Sequence, residues 1–259
     1  TASATPTIRP SDTPTAPPPI VVPAATPTPT TVPLSWIQIP EGSFVMGSTE
    51  SDIWSAVESC NQWEGNCSFD WFDNELPQLT EWLPTFQIAR YETTNAQYQE
   101  CVSAGYCSPV APTSSDGSMV WDPRYAGANY PVVGIAQGDA SRFCAWVGGS
   151  LPTDAQWEKA ARGTDGRTYP WGNSLRTDSA NLGSGYLMPV GTYAAGTSPY
   201  GLYDMAGNAF EWTSTNVDGK FRLRGGSWHT HPFRGRTADR GTKLVPGFAN
   251  LDIGFRCVR

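Results

Sequence analysis

The sequence changes character between residues 33 and 34, and that break limits what the chain can fold into. Residues 1–33 contain nine Thr and ten Pro, and their only charges are Arg9 and Asp12. Proline fixes φ, biases its predecessor to extended backbone and removes a hydrogen-bond donor. Such a segment cannot bury enough apolar area to fold alone, so it reads as an extended arm or stalk. Its Thr/Pro tracts suit O-glycosylation. All eleven Trp and all six Cys lie beyond it. Residues 34–259 are therefore expected to form one domain with a sizeable aromatic core.

The pattern inside that domain is mixed. Trp36, Ile37, Ile39, Phe44 and Met46 flank a Pro-Glu-Gly turn and read as two short strands. "LTEWLPTFQIARYETT" reads as a further strand pair. Three helices are expected: one capped by Thr94 and stopping at Gly105, one over "AQGDASRFCAWVGG", and one opened by Thr153 with Gln156 as a capping box and closed at Gly163. The rest is rich in Gly, Asn and aromatic residues, with short strands only. This is an α+β pattern with much irregular backbone, whose loops need side-chain hydrogen bonds, ions or disulfides.

The net charge of −7 argues against nucleic acid, which needs a basic face. No apolar run reaches the roughly 20 residues of a membrane span. A chain opening on Thr1 is read as having lost a signal peptide, which suggests an extracellular or cell-surface setting. The even cysteine count fits the same oxidising compartment. Six cysteines allow 15 pairings. Cys60 with Cys67 and Cys101 with Cys107 would close short loops, leaving Cys144 with Cys257; free buried thiols remain an alternative. Their spacing does not suggest zinc.

Seven phrases occur in order: "IPEGSFVMGS", "TNAQY", "YPVVGIAQGDASRFCAWVGGSLPTDAQWEKAARG", "YPWGN", "GLYDMAGNAFEWT", "RGGSW" and "IGFRC". Over residues 35–259 the chain thereby resembles the formylglycine-generating enzyme, or sulfatase-modifying factor, family. That resemblance implies a C-type-lectin-like fold with little regular secondary structure. It also implies an inter-loop disulfide between Cys144 and Cys257.

In active members of that family a thiol pair after the Gly-Gly-Ser-aromatic turn binds copper and oxidises a substrate cysteine. The matching positions here are Thr230 and Gly235. Neither supplies a thiolate, the ligand and nucleophile of that chemistry, so neither copper nor the oxidase reaction is expected. The resemblance also implies calcium, held by Asp204 and Glu211 through carboxylates and by Gly207 and Ala209 through backbone oxygens. Calcium takes six to eight hard oxygens and accepts loops as ligands. A second calcium is implied at Asn181 and Leu182, although the later part of that motif is replaced by "GSGYLMPV". An alternative use of Glu211 is an ion pair with Arg222, Arg224, Arg234, Arg236 or Arg240.

His229 and His231, the only histidines, would face the same side of a strand and could share a metal with Asp239 or Glu211. That gives one alternative function, a metal-dependent oxidoreductase. Ser227 has no base partner defined by the sequence, and Glu158 beside Lys159 reads as a structural ion-pair member. The favoured reading is non-catalytic: an extracellular scaffold, binding or assembly protein. The loop from 229 to 247, including His229, Thr230, His231, Phe233 and Arg234, would recognise a glycan or peptide. Residues 1–33 would join another copy or another surface protein, with "PPPIVVPAA" able to add to a sheet edge, in a surface layer or fibre. A further alternative is the variable module of diversity-generating retroelements, which resembles this family and is diversified between "RGGSW" and "IGFR".

Overall fold

The computed structural model describes residues 34–112, 117 and 122–259. The arm of residues 1–33, with its expected glycosylation and docking roles, lies outside the described residues.

Two strand pairs open the domain. Trp36–Ile39 (β1) and Gly42–Met46 (β2) both form as expected, as do Leu79–Leu83 (β3) and Phe86–Ala89 (β4). The pairs are nested and do not form two successive hairpins, because β1 runs antiparallel to β4 and β2 to β3. Residues 47–78 therefore form an excursion closed at its base by the β2–β3 ladder. That excursion holds a helix not anticipated from the sequence, Glu50–Asn61 (α1). Thr49 caps it and Asp52 returns the bond to the Thr49 backbone N–H, a capping box with Asp in place of the usual Glu or Gln.

The three expected helices form at Asn95–Ser103 (α2), Gln137–Trp146 (α3) and Asp154–Arg162 (α4). Thr94–Gln97 and Thr153–Gln156 are reciprocal capping boxes. The last sheet has the order β7-β6-β5-β8, from Phe210–Val217 (β5), Lys220–Arg224 (β6), Lys243–Leu244 (β7) and Ile253–Gly254 (β8). β5 turns into β6 through Asp218 and Gly219, both at positive φ. Such a turn matches the twist of the strands it joins.

Tyr98, Phe143, Trp212 and Phe255 gather in the main core around the disulfides Cys101–Cys107 and Cys144–Cys257. Cys60–Cys67 is the third disulfide, and no cysteine is free. A separate cluster packs Ile53, Ala56, Val57 and Cys60 of α1 on Phe72 and Phe233. This cluster ties the excursion to the segment after the Gly-Gly-Ser-Trp turn.

Among the described residues no helix is long and apolar enough to cross a membrane.

Candidate functional site

β6 ends at Arg224, and Gly225, Gly226 and Ser227 turn the chain back. Ser227 is fully buried; its Oγ donates to Asp252 at 2.9 Å, so it serves the turn and not a histidine. Thr230 closes the next bend. Its Oγ1 accepts from the Ser227 N–H at 2.9 Å and donates to the Ser227 carbonyl at 3.1 Å. The hydroxyl is thus used twice within the turn.

Gly235 ends the short 3-10 turn Pro232–Gly235 and is buried. A Cβ placed there would stand 2.6 Å from Leu182 Cδ1 and 3.4 Å from Ala206 Cβ. A side chain at 235 would therefore need Leu182 of "ANL" to move aside and would pack against Ala206 of "DMAGN". The sequence locates the two positions, but the structure shows Leu182 crowding the second.

The expected recognition loop is more buried than anticipated. Phe233 is 2% exposed and meets Phe72 edge-on at 6.0 Å, so it anchors the loop instead of contacting a ligand. Arg234 pairs with Asp239 at 3.3 Å, and residues 235–239 are buried. Accessible surface in this stretch lies at 229–231, at the partly exposed Arg234 and along the far limb from 240 to 247. His231 stacks on Trp63 at 5.5 Å, and its Nε2 lies 3.4 Å from Glu64 Oε1. Trp63 and Glu64 come from the loop closed by Cys60–Cys67, a contact with no signal in the sequence.

The premise for a shared imidazole site fails. Residues 229–231 lie in a turn, not on a strand, and His229 packs instead across Trp228. Both suggested third ligands are engaged by arginines: Asp239 by Arg234 and Arg236, Glu211 by Arg256. Among the described residues no three His, Cys, Asp or Glu gather to hold a metal.

Glu211 is fully buried on β5. Its Oε2 accepts from Trp157 Nε1 at 2.8 Å and Arg256 Nε at 2.7 Å, and its Oε1 from Arg256 Nη2 at 2.6 Å. The ion pair proposed as an alternative is therefore present, but with Arg256 of "IGFRC" and none of the five arginines suggested. As arranged, Glu211 does not fit a calcium ligand. Asp204 sits at φ 56° and accepts the Gly191 N–H at 2.7 Å. Burial lifts its carboxyl to about 6. Glu92, unnoticed in the sequence, accepts from Asn208 Nδ2 and the Ala209 N–H. Burial, then the charges of Asp204 and Glu211, push it well above the ordinary range. Three buried acids thus surround one guanidinium, and the surplus negative charge suits a cation near Asp204. Gly207 cannot carry a side chain, since its φ is +76° and a Cβ would collide with the Asn181 carbonyl. Asn181 donates to Tyr186 and Asn208, while its buried Oδ1 has no partner. That orphaned oxygen fits a hard cation beside Leu182.

Glu158 is the centre of a second buried charge cluster. It accepts from Arg162 at 2.8 Å, Arg224 at 2.6 Å, Arg240 at 3.0 Å and the Gly47 N–H at 2.7 Å. Lys159 turns away to the carbonyls of Pro40 and Gly42.

The family model for the sulfatase-modifying factor enzyme 1-like domain matches residues 22–259. The chain belongs to that family. Its match starts within the Pro/Thr-rich segment. Among relatives, formylglycine-generating enzyme of Bos taurus is 29% identical, over 91% of this chain and 76% of its own length. Inactive C-alpha-formylglycine-generating enzyme 2 of Bos taurus is 39% identical, over 49% of this chain and 50% of its own. Several other curated relatives are spanned for about half their length or less, 54% and 26% in two cases. The fold is also that of Treponema denticola variable protein 1, with a TM-score of 0.62 and 19% identity, covering 89% of this chain and 96% of that one.

Proposed function

We propose that this chain is a non-catalytic binding module on a formylglycine-generating-enzyme-like domain. One observation carries the reading: the two thiol positions hold a turn-locking Thr230 and a Gly235 whose side-chain space is filled by Leu182. Soft thiolates are what hold Cu(I) in such chemistry, and a hydroxyl already bonded twice offers no substitute. The relative named as inactive supports the reading, because the family includes members described without the activity. Competition of the purified chain against a Cu(I) chelator tests it. No stoichiometric Cu(I) uptake is expected; one equivalent bound and lost in Thr230→Ala would overturn it.

The accessible recognition surface is His229, Thr230 and His231 together with Trp63 and Glu64. An extracellular setting belongs to the same proposal and is supported by three disulfides. So does calcium, supported by the surplus buried acid at Glu92 and Asp204 and the unpartnered Asn181 Oδ1. Elemental analysis after dialysis and a rise in Tm on adding calcium would support it. No ion and an unchanged Tm would count against it. Assembly through residues 1–33 predicts that deleting them abolishes higher-order particles seen by negative stain.

A further inference from the structure

From residue 10 to residue 89 the chain has no Lys or Arg, and residues 41–81 carry nine Asp or Glu. Residues 41–81 leave three indoles in solvent: Trp54 at 59%, Trp63 at 47% and Trp71 at 36% exposed. A group of large exposed aromatics is unusual on a protein surface and marks a contact site. The three are linked through the apolar cluster beneath them. Trp54 lies 5.2 Å from Phe69, which opens the 3-10 turn ending at Trp71. Trp63 stacks on His231, which in turn stacks on Phe233 at 6.3 Å. Phe69 and Phe233 belong to the same apolar cluster.

The charges on this face select the occupant. Trp54 projects from α1 with Glu50 one turn before it and Glu58 one turn after, and all three are exposed. Residues four apart on a helix are neighbours, so the indole is flanked by carboxylates on both sides. Glu64 follows Trp63 and Asp70 precedes Trp71 in the chain, and both carboxylates are exposed. The cations nearby are already engaged: Arg236 by Glu75 and Arg234 by Asp239. The chain also shows how its aromatic wall receives a guanidinium. Arg234 lies 5.1 Å from the Phe233 ring centre, and Arg236 4.9 Å from that of Phe72.

We infer that the face formed by α1, the Cys60–Cys67 loop and the turn at Phe69–Trp71 docks an arginine- or lysine-bearing segment of a partner protein. Its cations would stack on Trp54, Trp63 and Trp71 while Glu50, Glu58, Glu64 and Asp70 neutralise them. A neutral glycan would use the indoles but leave the carboxylates uncompensated, and an anionic membrane would be repelled. Charge steers the encounter and the indole faces give it specificity. The inference rests on the binding-module reading and names its partner class.

The test titrates the full chain with an octa-arginine peptide, followed by indole fluorescence and calorimetry. Saturable binding is expected. Trp54→Leu with Trp63→Leu, which leaves the charge unchanged, should weaken it at least tenfold, as should Glu50→Gln with Glu58→Gln. Unchanged melting curves will show that these exposed substitutions leave the fold intact. No binding overturns the inference. So does binding indifferent to the indole substitutions, which is charge attraction alone, or uptake of a neutral oligosaccharide in place of the peptide. A chain that ignores octa-arginine but takes up no Cu(I) defeats this inference alone; stoichiometric Cu(I) uptake defeats the binding-module reading itself.

Discussion

At the scale of single residues, Gly235 decides most. Two positions identify the missing thiols in the sequence, but the sequence does not show whether the space for them survives. The structure places Leu182 where a Cβ at 235 would go. Gly235→Cys is therefore expected to destabilise by about 1–3 kcal/mol through overpacking, read as a lower urea midpoint. Leu182→Ala should relieve part of that loss in the double variant. Strict additivity of the two would argue against a direct clash. Glu211 teaches a related lesson. Its ion pair was foreseeable as a kind, but its partner was not. Arg256 reaches it only because β8 lies parallel to β5 with Glu211 opposite Gly254, a register that no local pattern encodes.

Elements were legible where a local rule dictates them. Thr94, Thr153 and the glycines after each helix mark α2, α3 and α4 through backbone satisfaction alone. α1 escaped because its capping box uses Asp52, and because its buried side chains are sparse: Ile53, Ala56, Val57 and Cys60. The four N-terminal strands were legible as strands, but their nested pairing was not, since pairing is a long-range choice. α1 carries Trp54, one of the exposed indoles, and its buried side chains pack on Phe233. Thr49→Ala should cost about 1 kcal/mol through the lost cap. Because α1 frames the excursion, it should also raise hydrogen exchange in residues 50–61. Exchange unchanged there would mean that the helix is held by packing alone.

For the whole molecule, a C-type-lectin-like body with few regular elements needs internal staples. Three disulfides and a buried lattice of arginines and acids supply them. The sequence marks Glu158 as an ion-pair member, but it does not show that this carboxylate lies at 0% exposure among three arginines. Burial works against the Glu158 charge, yet Arg224, Arg240 and Arg162 outweigh it and hold its carboxyl below the ordinary range. A depressed carboxyl binds its proton less tightly folded than unfolded. Its contribution is therefore complete above the unfolded value of about 4.3 and is lost as pH falls through the lower folded value. Glu158→Gln should cost about 3–5 kcal/mol by stranding buried guanidiniums. It should also flatten the acid limb of a stability-against-pH curve; an unaltered limb would assign the acid sensitivity elsewhere.

The proposed absence of oxidase chemistry rests on Thr230 and Gly235 and is open to direct assay. The copper-treated chain is incubated with oxygen and a sulfatase-type cysteine peptide, and product is read by mass spectrometry. An intact thiol or its simple disulfide is expected after prolonged incubation. Catalytic conversion of that cysteine to formylglycine would contradict it.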